Sequence, residues 1–349
     1  MKTLLYPEYQ QLEIAERPIP SPGIGEALLR VTACGICGSE LEAFKKQSPR
    51  RVPPLVMGHE FCGIVEEVGT KVSALLRGQR VVSHSLFGCG QCVRCRRGDV
   101  HLCAERQLFG MHRQGGFAEY VTAPERCLIS CPDNLSAEVA SLAEPLANGV
   151  HLVGLTRQLA PNLVVIVGAG PIGLLAQQAF QCLSSADVVV ADLIQERLEV
   201  ANRLGAMRVI NSRHEDFVTE VLRLTDGEGA DVLVDAVGSA LSKQQSLLAT
   251  RAGGTTVWIG THENTITLDS QEITLAERRV QGSYAASLDE LKVAVDLLAS
   301  GKIDGASWIK KFSLAEGGGS VSTHDGGKRR RHQSCIAANF ILKHSIKHL

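Results

Sequence analysis

The chain has 349 residues, 44% of them hydrophobic, enough to bury more than one ordinary core, and so predicts two domains. Thirty-six basic residues against 37 acidic ones leave a formal charge of -1 at pH 7, which argues against nucleic acid or an anionic membrane as the main partner. A small, roughly neutral substrate or a cofactor suits that balance better.

The opening MKTLLYPEYQQLEIAERP meets Tyr6, Pro7 and Glu8 before an apolar segment of secretory length builds up. Apolar runs such as Leu163 to Val167 and Val188 to Ala191 fall far short of the roughly 20 residues that span a bilayer. We therefore expect a cytoplasmic protein without membrane partners. Its eleven cysteines then read as thiolates, several of them on metal, rather than as disulfides.

From Leu28 to Pro124 short apolar or alternating runs (ALLRVTA, GIVEEVG, QRVVSH, FAEYVTA) are broken by Gly and Pro, the pattern of a β-rich, loop-heavy domain. From Val150 the texture changes. Strand-like runs at Leu163 to Val167, Val188 to Ala191, Val232 to Asp235 and Thr255 to Ile259 are separated by helix-length stretches, including Ile172 to Ser184 and Gln195 to Leu204. This βαβ rhythm predicts an α/β domain with a doubly wound parallel sheet. Leu288 to Ser300 reads as an amphipathic helix, with Gly301 as its C-terminal cap.

Within FGCGQCVRCRRGDVHLC, Cys89, Cys92, Cys95 and Cys103 stand as C-x2-C-x2-C-x7-C. Four thiolates on one Gly-containing loop can wrap a tetrahedral zinc, a closed site that stabilises and performs no chemistry. An iron–sulfur cluster or four buried thiols are the alternatives. Arg94, Arg96 and Arg97 form an isolated basic loop, read as solvated rather than as a nucleic-acid contact.

Two further segments, CGICGSE at 34–40 and GHEFCGIVEEVG at 58–69, contain Cys37, His59 and Glu60. A catalytic zinc needs such mixed ligands with one position open. Together with the four-cysteine lobe, GGFAEY at 115–120 and EPLANGVH at 144–151, these segments resemble the signature blocks of zinc-containing medium-chain dehydrogenases. The branch is that of sorbitol, galactitol-phosphate and threonine dehydrogenases. The resemblance spans residues 1–318.

It implies a GroES-like β-rich catalytic domain over 1–150, a Rossmann cofactor domain over 151–285 and a return to the catalytic domain over 286–349. It further implies Cys37 and His59 as zinc ligands, with Glu60 and Glu144 competing for the third place, and Ser39 in a proton relay. Homodimers or homotetramers are the family's habit. Glu40 stands where relatives carry Asp, and Glu42 where many carry the relay's outer His, so protons would leave through Ser39 to water or Glu42. Cys34 and Cys62 are read as small buried residues.

After the strand LVVIV comes Gly168-Ala169-Gly170-Pro171-Ile172-Gly173, and Asp192 closes the next strand 19 positions beyond Gly173. The glycines allow a tight turn and close approach to a pyrophosphate at a helix N-terminus. Asp192 would accept hydrogen bonds from the adenine ribose, favouring NAD over NADP, although Arg197 is of a kind that accommodates a 2′-phosphate. Two zinc ions per subunit and NAD are thus the expected cofactors.

The resulting expectation is hydride transfer between NAD and a secondary alcohol, first a polyol or sugar alcohol. The alternatives are a threonine-type or simple alcohol dehydrogenase, a zinc-free quinone or enone reductase, and a zinc-stabilised dinucleotide-binding protein without activity.

After FSLAEG at 312–317 the chain departs from the family pattern. Residues 319–349 carry a basic run and no amphipathic period. A disordered tail is one reading. The sharper one is an out-of-frame tail: codons exist for 324–335 that, read one nucleotide later, encode a helix end, turn and strand. The catalytic domain would then lack its final strand.

Overall fold

The computed structural model describes residues 1–75, 77–316 and 340–343. The chain divides into two compact units. One comprises Met1–Glu144 with Ser287–Leu349, of which 287–316 and 340–343 are described; the other is Pro145–Ala286. The first boundary lies at Glu144 rather than at residue 150, inside a helix, Ala143–Thr156, whose own apolar run hides the change of unit from the sequence.

In the first unit the strands include β1 (Lys2–Tyr6), β2 (Glu26–Gly35), β3 (Glu60–Val68), β4 (Arg80–Ser83), β5 (Tyr120–Pro124) and β6 (Leu128–Ser130), with helix α1 (Gly38–Lys46) between β2 and β3. β6, β4, β3 and β2 pair antiparallel in that order, and β5 adds to β2. The largely buried β2 explains its run of Ala, Leu and Val. Leu4, Leu29, Phe61, Phe109 and Phe117 fill the core, where the Phe61 and Phe109 rings meet edge to face at 5.1 Å. The register sets Gly35 opposite Glu60, which brings the two site-bearing segments to one end of the sheet.

The second unit begins inside α2 (Ala143–Thr156), at Pro145, and continues through β7 (Leu163–Val167), α3 (Pro171–Leu183), β8 (Asp187–Asp192), α4 (Gln195–Arg203), β9 (Arg208–Asn211), α5 (Phe217–Leu224), β10 (Ala230–Asp235), α6 (Ala240–Leu248), β11 (Thr250–Trp258) and β12 (Arg279–Gly282). The sheet order is β9-β8-β7-β10-β11-β12, every pair parallel. This is the doubly wound order, with its switch point beside β7. Val165, Val189, Ala191, Ile210 and Leu233 are fully buried, as strands covered on both faces require.

The chain returns to the first unit at Ser287, whose hydroxyl and Glu290 cap α7 (Leu288–Ala299), and Gly301 follows with φ 68°. β13 (Ile309–Phe312) comes next. A strand β14 (Phe340–Lys343) pairs antiparallel with β13 and parallel with β2 at Ile341 opposite Gly35. The expectation that the tail leaves the sheet without a closing strand is thus corrected at FILK, where a short run supplies backbone pairing. The rest of the atypical segment, 319–339 and 344–349, lies outside the described residues. No helix among the described residues is long and apolar enough to cross a membrane.

Candidate active site and metal centres

The four-cysteine lobe is a local construction. Cys92 caps the short helix Val93–Arg96, its Sγ accepting the Cys95 N–H at 3.4 Å, and that bond brings the Cys92 thiol down to about 7. The Cys89 N–H points at Cys103 Sγ. All four sulfur atoms lie within 4.8 Å of one another, and Cys92 Sγ sits 3.8 Å from Cys103 Sγ. A tetrahedron of zinc–sulfur bonds at about 2.3 Å puts its sulfurs about 3.8 Å apart, so the lobe fits a structural zinc.

The second cluster is assembled from distant segments. Cys37 is the N-cap of α1, while His59 and Glu60 stand at the start of β3. Their ligand atoms also lie within 4.8 Å of one another. A Cβ at Gly35 would run into the Glu60 carboxylate, so this glycine leaves room for the acid beside the cluster.

Glu40 organises the set. It is 1% exposed, and its Oε2 accepts the Cys37 N–H at 3.0 Å. Its Oε1 accepts the Gly58 N–H and lies 2.8 Å from His59 Nδ1. Burial alone would raise the Glu40 carboxyl, but the charge and hydrogen bond of His59, with help from Arg51, hold it below the usual carboxylate range. With Nδ1 on the carboxylate, Nε2 of His59 is the nitrogen left to ligate. Burial likewise opposes charge on His59, yet Glu40 and Cys37 raise it well above its ordinary value. To take a metal ion on Nε2, His59 would give up its proton.

Glu144, in the first turn of α2, stands beside this trio rather than within it. Burial raises its carboxyl; His59 pulls it down, Glu60 pushes it up, and the Ser85 hydroxyl bonds it. Ser39 is gripped by Arg51, which donates from Nη1 to the Ser39 carbonyl at 3.1 Å and from Nη2 to Ser39 Oγ at 3.2 Å. Glu42 pairs with Lys46. Arg51 and Ser85 carry no sequence signal: neither sits at a motif spacing, and only the fold brings them here.

In the second unit, Gly168 closes β7 with φ 103°, a backbone state that favours glycine. Gly170 caps α3, Pro171 and Ile172 begin its first turn, and a Cβ on Gly173 would strike the Gly168 carbonyl, so helix and turn are pressed together. Asp192 ends β8 and binds this turn directly, its Oδ2 accepting the Ala169 N–H at 2.7 Å. Arg197 Nη1 lies 3.6 Å from the same oxygen.

Comparison with known proteins agrees with this geometry. The chain matches the family descriptions "Alcohol dehydrogenase GroES-like domain" over residues 23–133 and "Zinc-binding dehydrogenase" over 171–300. It is 35% identical to the L-threonine 3-dehydrogenase of Pyrococcus horikoshii, covering 84% of this chain and 85% of that one. It is 34% identical to the D-arabitol-phosphate dehydrogenase of Enterococcus avium, covering 89% and 90%. A zinc-binding dehydrogenase of Sinorhizobium meliloti, solved bound to NADP, matches with a TM-score of 0.84 at 29% identity, over 97% of this chain and 98% of its own. The chain therefore belongs to the zinc-type medium-chain alcohol dehydrogenases. It joins a GroES-like domain to a Rossmann domain, and its chemistry is zinc-dependent, NAD(P)-linked oxidation and reduction at alcohol groups.

Proposed function

We propose that this chain transfers hydride between NAD and the secondary alcohol of a polyol or sugar alcohol, using Cys37, His59 and Glu60 to hold a catalytic zinc. The observation that carries this reading is the convergence of one thiolate, one imidazole and one carboxylate within 4.8 Å, a ligand set of the open, reactive kind. A polyol is favoured by the similarity to a D-arabitol-phosphate dehydrogenase; the similarity to L-threonine 3-dehydrogenases supports a hydroxy-amino acid as the second reading.

When bound, zinc supplies the Lewis acidity that lets a substrate hydroxyl release its proton near neutral pH, and the dinucleotide supplies the hydride acceptor. The chain's own residues do the rest. Glu40 fixes the His59 ring and the Cys37 backbone, so the ligand set is preorganised. Glu144, a buried carboxyl beside His59 and Glu60 that the Ser85 hydroxyl bonds, is the competing candidate for the third ligand place. Ser39, steadied by Arg51, is the first hydroxyl on the way out. Asp192 accepts the adenine ribose hydroxyls.

Zinc analysis of the purified chain, combined with NAD reduction across polyols, polyol phosphates, simple alcohols and L-threonine, tests this reading. Activity confined to L-threonine would transfer the assignment to the second reading. Turnover by a chain holding zinc only in the cysteine lobe would end both.

A further inference from the structure

Arg51 is 4% exposed, and a cation buried so deeply is unfavourable unless its donors are met. One residue meets them twice. Nη1 donates to the Ser39 carbonyl at 3.1 Å and Nη2 to Ser39 Oγ at 3.2 Å, while Nε donates to the Gly110 carbonyl at 3.1 Å. The Gly110 turn lies against Met57 and Gly58, so closely that a Cβ on Gly110 would strike the Gly58 nitrogen. The third bond therefore anchors the fork to the segment that carries His59. A planar guanidinium that grips both the carbonyl and the hydroxyl of one serine fixes the χ1 angle of that serine. A backbone brace would need only the carbonyl. Ser39 itself is half-buried and stands in the first turn of α1, two residues beyond Cys37 at the cap. Arg51 thus reaches the hydroxyl from the buried side. Because a guanidinium only donates, Ser39 Oγ accepts from it, and the hydroxyl proton and second lone pair are turned away from Arg51.

We propose that Arg51 is a positioning residue for the reaction: it locks the Ser39 hydroxyl in one rotamer, with one acceptor and one donor place left, so that the substrate proton leaves along a single line. In oxidation the substrate O–H breaks as its proton moves to Ser39 Oγ, its electron pair staying on the substrate oxygen. The Ser39 O–H breaks in the same motion, its proton passes to water, and the serine ends as it began. Arg51 keeps its charge and its protons throughout and is neither acid nor base. This role rests on the reading above that Ser39 is the first hydroxyl on the way out.

The test is a double-mutant cycle on the zinc-loaded chain, read as rate, melting temperature and zinc content. Arg51→Met and Arg51→Lys are each made in the wild type and in Ser39→Ala, and assayed with whichever polyol, polyol phosphate or L-threonine the wild type oxidises fastest. Arg51→Met should lower kcat about tenfold with KM within about twofold, because the hydroxyl then spreads over other rotamers and loses its line. Arg51→Lys should fall between, because a point charge replaces a fork. In Ser39→Ala the same substitutions should change kcat by less than about twofold. The melting temperature should fall equally in both backgrounds, since the Ser39 and Gly110 carbonyls lose their donors either way, and zinc content should match the wild type throughout. Equal kcat losses with and without the Ser39 hydroxyl, or zinc lost along with the rate, would overturn the proposal. Arg51 would then act through the fold, or through Glu40, whose carboxylate feels its charge. If Arg51→Met fails to fold, Arg51→Lys carries the cycle. A wild type that oxidises none of the panel would sink the proposed function, and this role with it.

Discussion

The two candidate metal clusters of the first unit are built by opposite means. The cysteine lobe gathers Cys89, Cys92, Cys95 and Cys103 on one loop whose own turns aim the sulfurs. The mixed cluster takes Cys37 from a helix cap and His59 with Glu60 from a strand start, and Glu40 bridges Cys37 and His59. A local site needs little beyond its loop. A dispersed site depends on the sheet register that brings its segments together.

Substitutions should separate the two. The largest effect is expected from Cys37→Ser, which should abolish turnover and halve the zinc content while leaving dinucleotide affinity within about twofold. Full zinc with lost activity would mean that Cys37 acts otherwise than as a ligand. Cys103→Ser should do the reverse to the lobe: zinc again falls, and the melting temperature drops by about 10 °C, because that metal contributes folding energy and no chemistry. An unchanged melting temperature would break the contrast.

Glu40→Gln should weaken metal at the mixed cluster by about 10- to 100-fold, read by chelator competition, and leave the lobe untouched. Glu40→Asp sharpens the point. It keeps the charge but loses the methylene that lets one carboxylate reach both Cys37 and His59, so affinity should fall here too.

The smallest effect is a control in the cofactor unit. Asp231 accepts the Asn162 and Leu163 N–H groups and pairs with Arg251 Nε at 2.6 Å. Burial opposes its charge, but these partners hold it below the usual carboxylate range. Its stabilisation is therefore fully present above the ordinary Asp range and is lost as pH falls through the lowered value. Asp231→Asn should cost a little stability at pH 7, converge with the wild type in acid, and alter zinc at neither cluster. A zinc change at either cluster would show that Asp231 does more than brace its own strands.

Legibility in the sequence followed the same divide. The lobe could be read from spacing, since its ligands are neighbours in the chain, and β7 appeared as LVVIV because a strand buried on both faces must be apolar throughout. β11 began earlier than its apolar run, at Thr250, where a register shift opposite β10 admits Arg251 and two glycines. The mixed cluster needed family resemblance to connect its segments, and no pattern announced Arg51 or Ser85, whose roles come from tertiary proximity alone. The tail strand escaped because FILK is too short to stand out beside a basic run.

The hydrogen bond from Ala169 to Asp192 bears on any attempt to re-engineer nucleotide preference. Asp192 is also the latch of the glycine turn, so exchanging it to welcome a different coenzyme would loosen the cradle for every coenzyme. Any variant at Asp192 is therefore best read first for whether the glycine turn has kept its shape.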